Sequence, residues 1–127
     1  MISLLLLQAT LGAIGRQELP REGCAAYLWS LSEPRQLVAM AEPARLRLNL
    51  DGRPVELARA SAEGQAGLWL ASTTRYVAGP VSATLALTLA ERPDLAQGAL
   101  APAATLTVQG ADGNAVVTPV AGMVGCR

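Results

Sequence analysis

At 127 residues the chain has room for a single domain. Ten acidic residues balance ten arginines, with no lysine and no histidine, so net charge offers no footprint for nucleic acid or an anionic membrane. The commonest general base and the Schiff-base amine are missing too.

Hydrophobic residues reach 51% while aromatic residues make up 3% and phenylalanine is absent, so a core has to be assembled from Leu, Val and Ala around two Trp and two Tyr. Ile2 to Ile14 is apolar apart from Ser3, Gln8 and Thr10. It ends in Ala13-Ile14-Gly15, which puts small residues at the −3 and −1 positions of a cleavage site before Arg16. Residues 1–15 therefore read as a secretory signal peptide and 16–127 as the folded domain, although the leader has only its α-amino group for positive charge. The run is shorter than the roughly 20 apolar residues of a membrane-spanning helix, so no stable membrane insertion is expected after cleavage. Cys24 follows Gly23 in the manner of a lipidated cysteine, but Arg21 and Glu22 stand where a lipoprotein signal wants small or apolar residues.

Cys24 and Cys126 bracket nearly all of the expected mature chain, and in an oxidising compartment they are expected to pair. Closing about 100 residues restricts the unfolded chain by up to about 4.7 kcal/mol. It also makes the first and last strands neighbours. A zinc site is not expected, since no closely spaced ligand set completes a tetrahedron.

Cys24 to Leu31 carries no helical stripe and reads as a strand; Ser32 to Arg35 is a turn around Pro34. Gln36 to Glu42 is read as a second strand, with a short helix capped by Ser32 as the alternative. Ala44 to Leu57 is the clearest element. Apolar and polar residues alternate on both sides of Asp51-Gly52, a type I′ pair. Counting outward from the turn pairs Leu50 with Arg53, Asn49 with Pro54, Leu48 with Val55, Arg47 with Glu56 and Leu46 with Leu57. One face is then apolar and the other carries Arg47 opposite Glu56, whereas a one-residue slip would bury the charges. Pro54, which lacks an N–H, leaves the far side of Arg53 to Leu57 unpaired.

Ala58 to Gly67 is small, polar and glycine-bearing, hence a loop. Gly67 to Ala78 reads as a strand, and Val81 to Ala90 as another, with Val81, Ala83, Leu85, Leu87 and Leu89 on one face. Glu91 to Ala103, with two prolines and a glycine, is the longest loop. Ala104 to Gln109 and Ala115 to Val120 form a last hairpin, and Gly122 to Gly125 leads to Cys126. The outline is all-β: one small antiparallel barrel or sandwich of about eight sequential strands, meander-like, its termini joined by a disulfide.

No catalytic residues, cofactor-binding residues or metal ligands stand out. Asp51, Glu56, Glu91 and Asp94 are the carboxylates left to consider, and they fall in turns or on a solvated hairpin face, so no enzyme is expected. Two candidate partner-binding groups remain. One is Trp69 with Arg75 and Tyr76; the other is Arg92, Asp94 and Leu95 in the long loop. The leading expectation is an exported, periplasmic or secreted, non-catalytic domain that binds a protein partner in the bacterial envelope. In size, export signal and strand count alone the chain resembles small periplasmic inhibitor barrels directed at proteases or lysozyme, and that resemblance implies an inhibitor. The alternative is a carrier of a small apolar ligand inside the barrel.

Overall fold

The structure is a computed structural model and describes residues 10–91 and 98–127. Among these the chain forms no helix; its strands are β1 (Cys24–Ser30), β2 (Leu37–Ala41), β3 (Arg45–Leu50), β4 (Arg53–Glu63), β5 (Thr73–Ala78), β6 (Val81–Leu87), β7 (Ala90–Glu91), β8 (Gly98–Gln109) and β9 (Ala115–Cys126). Chain neighbours pair antiparallel from β1 to β6, β8 pairs with both β6 and β9, and β9 returns to β1. Eight strands thus close into a barrel, with β7 a short continuation of β6 along the same edge of β8. Closure gives each of the eight a partner on both sides over at least part of its length, which removes the open edges of a flat sheet.

The central hairpin has the expected register. Asp51 and Gly52 take φ values of 54° and 81°, and all five pairs counted from the turn are present. Leu46, Leu48 and Leu57 are buried. β4 meets β5 only from Ala58 onward, which leaves the proline-bearing half without a second strand neighbour among the described residues. One detail differs: Arg47 lies across from Glu56, but Glu56 Oε1 accepts from Arg45 Nη1 at 2.9 Å while Arg47 Nη1 donates to Gln17. Gln36 to Glu42 contains the strand β2, not a helix.

Cys24 lies directly opposite Cys126 in the β1–β9 ladder, and a disulfide joins them across 102 residues of sequence. This end of the barrel, the disulfide end, also holds the β2–β3 turn and the β4–β5 connection. The opposite end carries the turns β1–β2, β3–β4, β5–β6 and β8–β9.

The lumen is filled by large and small residues set side by side. Leu28 pairs with Ala39, which pairs with Leu48; Ala26 pairs with Ala41, which pairs with Leu46 and then Leu57. Leucine meets alanine at Leu28–Ala39, Ala39–Leu48 and Ala41–Leu46, while Ala26–Ala41 and Leu46–Leu57 pair like with like, so large and small residues interdigitate as a narrow barrel requires. Tyr76, fully buried, is the large ring of the interior and lies beside Ala83. Gly122 lies opposite Leu28, and a Cβ there would collide with the Tyr27 carbonyl oxygen.

Five segments depart from the sequence reading. Ala58 to Glu63 is not loop but the second half of β4, exposed along its length and held by main-chain pairing to β5. The strand expected over Gly67 to Ala78 begins only at Thr73, because Gly67 and Leu70 close a tight turn. Val81 to Ala90 is interrupted after Leu87, and β8 answers with a register shift between Ala101 and Ala104 that accommodates Pro102. Gly98 to Ala103, expected as loop, and Gly122 to Gly125, expected as a lead to the cysteine, both lie within long strands.

Thr10 to Ile14 lies between β2 and β3 at the turn end, and Gly15 to Gly23 continues along the outer wall to the disulfide end, where β1 begins. The Tyr27 hydroxyl donates to the Glu18 carbonyl at 2.9 Å, and a cleft of about 610 Å³ separates Arg16–Glu22 from Met40, Glu42, Arg45 and Arg47 on the wall.

Candidate functional site

The connection between β4 and β5 closes the disulfide end. Gly64, at a φ of 70°, leaves room for Ser72, whose hydroxyl donates to the Glu63 carbonyl at 2.9 Å. Ser72 in turn accepts the Leu87 N–H at its carbonyl, also at 2.9 Å, so the loop is tied to β4 and β6.

Its tip is a two-residue turn. Leu70 N–H donates to the Gly67 carbonyl at 2.9 Å and Gly67 N–H returns a bond to the Leu70 carbonyl at 3.3 Å. Between them Leu68 and Trp69 take φ values of 52° and 70°, successive positive angles that normally select Asn-Gly. Each costs a bulky residue roughly 1–2 kcal/mol. Burial offsets this. Leu70 is buried in the core, while Ala66 and Leu68 pack against it and plug the lumen.

The same turn drives Trp69 outward, where it is 83% exposed. Its ring borders a cleft of about 410 Å³ shared with Glu22, Gly23, Cys24, Glu42, Pro43 and Ala44. A large exposed ring thus stands on a strained tip next to a concave surface. Close by, Arg45 links Glu56 at 2.9 Å and Glu42 at 3.6 Å, and its guanidinium is held even more firmly protonated by the hydrogen bond to Glu56 and by the charge of Glu42.

The residues singled out from sequence do not form one patch. Arg75 is exposed on the outer face of β5, opposite Ser61 and Thr84. Tyr76 is inside: strand alternation sends Thr74 and Tyr76 inward and Arg75 outward, so Tyr76 cannot meet a partner beside Trp69. Burial pushes its phenol up to about 12, aided by the charge of Glu42 and opposed by the Thr74 hydrogen bond and the Arg59 charge. Arg92, Asp94 and Leu95 lie outside the described residues.

Sequence reasoning missed the turn conformation of Leu68-Trp69, for which the flanking Gly64 and Gly67 were the only signal. It also missed an apolar stretch on the outer face of β1 and β9, where Trp29, Met123 and Val117 are exposed. Among the described residues no group of three His, Cys, Asp or Glu side chains is placed to hold a metal ion. Comparison of the chain with protein-family models, with curated proteins and with solved structures finds no match.

Proposed function

We propose that the chain is an exported, non-catalytic β-barrel that binds another macromolecule in the bacterial envelope, with Trp69 as its anchor. The observation that carries this reading is the exposure of Trp69 on a turn whose geometry its own residues resist. A ring fixed on a short turn loses little freedom on binding, so most of its burial contributes to affinity. The disulfide agrees with an oxidising compartment, and among the described residues no helix is long and apolar enough to cross a membrane.

Within that class, a protruding tip beside a cleft suits an inhibitor of a secreted or periplasmic hydrolase. The filled lumen weighs against the carrier alternative, since Tyr76 and the leucine–alanine rows occupy the space a small apolar guest would need.

A photo-crosslinking residue in place of Trp69, compared with one in place of Asp112 at the opposite end, tests the reading in the native envelope. A discrete adduct from position 69 alone is expected. No adduct, or equal adducts from both positions, overturns it. Inhibition assays against envelope proteases and lysozymes, with wild type and Trp69→Ala, then test the inhibitor itself.

A further inference from the structure

We infer that the wall between β2 and β3 at the turn end is a strand-accepting slot, which takes an extended peptide bearing one leucine-like side chain followed by a small residue. β2 and β3 pair only through Ala39–Leu48, Met40–Arg47 and Ala41–Leu46. Beyond that level, toward the turn end, they part, and the chain's own Thr10–Ile14 is wedged between them.

The geometry follows from the hairpin. Leu50 and Arg53 flank the two-residue turn and exchange hydrogen bonds, so the main-chain groups of Asn49 and Asp51 point away from β4, toward β2. Thr10–Ile14 uses them. Gly12 N–H donates to the Asn49 carbonyl and Asp51 N–H to the Thr10 carbonyl, both at 2.9 Å, and Leu11 bridges Leu50 antiparallel. On the other side Ile14 N–H donates to the Leu37 carbonyl at 2.9 Å. Leu11 packs against the core. This is strand addition in cis: main-chain bonds hold the segment, and one socket reads one side chain.

One expectation and one observation indicate that the slot suits an occupant in trans. The first is covalent, and it rests on the export reading above. The expected cleavage after Gly15 falls just past the wedge, so processing would detach all of Thr10–Ile14 and leave these main-chain groups and the Leu11 socket open. The second is chemical. Asn49 donates through Nδ2 to the Ala13 carbonyl at 3.1 Å, yet its Oδ1 is buried with no hydrogen-bond partner among the described residues. A Cβ on Gly12 would lie 3.5 Å from that oxygen, so a serine in place of this glycine would fit and bring a donor to it. The resident segment is thus not the best ligand its own slot can take.

The site lies at the opposite end from Trp69 and does not depend on that residue. The test uses the full chain with Leu11→Asp, which expels the wedge, and a synthetic peptide of residues 10–15, Thr-Leu-Gly-Ala-Ile-Gly. It reads the slot directly, so its failure is distinct from a failure of export or of Trp69 crosslinking. The variant is expected to bind the peptide and regain the wild-type amide shift of Asp51, while wild type, its slot filled, binds none. The peptide with serine for glycine should bind more tightly, and the peptide with aspartate for leucine should not bind. A folded variant that ignores the leucine peptide, or takes the leucine and aspartate peptides equally, overturns the proposal. If Leu11→Asp fails to fold, Leu11→Ala, which empties the socket without a charge, carries the same comparison.

Discussion

The Tyr76 hydroxyl crosses from β5 to donate a 2.8 Å hydrogen bond to the carbonyl of Glu42, at the start of the β2–β3 turn. A buried ring inside the barrel thereby fixes one wall of the cleft beside Trp69. Tyr76→Phe keeps the ring and removes the bond, leaving the carbonyl without its donor. A loss of about 1–3 kcal/mol is expected in urea unfolding, with the m-value unchanged.

The same residue makes stability depend on alkaline pH. Its phenol is raised to about 12 in the folded barrel against 10.0 ordinarily, with burial as the main cause. Below pH 10 the phenol is neutral in both states and its contribution is fully present. Between pH 10 and 12 the unfolded chain ionises first, so stability falls, by roughly 2–3 kcal/mol over the two units. Tyr27, also raised by partial burial, acts in the same direction. Unfolding curves at pH 9 and 12 for wild type and Tyr76→Phe isolate the Tyr76 share, which the variant should lack.

Gly122 is predicted to tolerate no side chain. Alanine there would force its Cβ into the Tyr27 carbonyl, between two strands whose pairing is continuous from Cys24 to Ser30. Backbone cannot yield as a flexible side chain would, so Gly122→Ala should cost more than about 3 kcal/mol. Gly113, at the β8–β9 turn, has open space around it but a φ of 86°, and alanine there should cost only about 1 kcal/mol of strain. Thermal unfolding of the two variants should therefore separate clearly.

Elements are legible from residues wherever local chemistry and burial agree. Asp51-Gly52 sets a turn and the flanking alternation sets the faces, so one register satisfies both. The inward position of Tyr76 is not legible, because its neighbours Thr73 to Arg75 give no indication of which face is inward; that is set by pairing with Ala83 and the taper of a closed barrel. Ala58 to Glu63 escapes for a different reason: both faces are exposed, so no pattern marks a strand that only its main-chain ladder to β5 maintains. Leu68-Trp69 carries no turn chemistry at all. Its conformation is imposed by the burial of Leu70, a tertiary cause invisible in a local window.

Replacing both cysteines, Cys24→Ala with Cys126→Ala, is expected to lower stability by up to about 4.7 kcal/mol without changing the fold at low temperature. The β1–β9 ladder consists of main-chain pairs from Cys24–Cys126 to Ser30–Val120, and beyond it Gly23 and Arg127 exchange main-chain hydrogen bonds at 3.1 and 2.9 Å. The effect therefore lies mainly in the freed unfolded chain. A thiol assay on denatured, unreduced wild type should find none, and amide spectra of the double variant should keep the β1–β9 pairing.

Trp69→Gly separates stability from binding. At the second position of the turn, glycine takes a φ of 70° without the clash that tryptophan bears there, and the ring it removes is mostly in water. The variant should gain about 1 kcal/mol in urea unfolding while Leu68 and Leu70 continue to plug the lumen. Partner capture should be lost. A residue retained for folding alone would show the reverse, a less stable variant with binding intact, because the ring lies outside the packed interior. Burial of Leu68 and Leu70 accounts for the turn's conformation but not for a tryptophan at its exposed position, where glycine would sit without strain, and burial of the ring by a partner supplies that account.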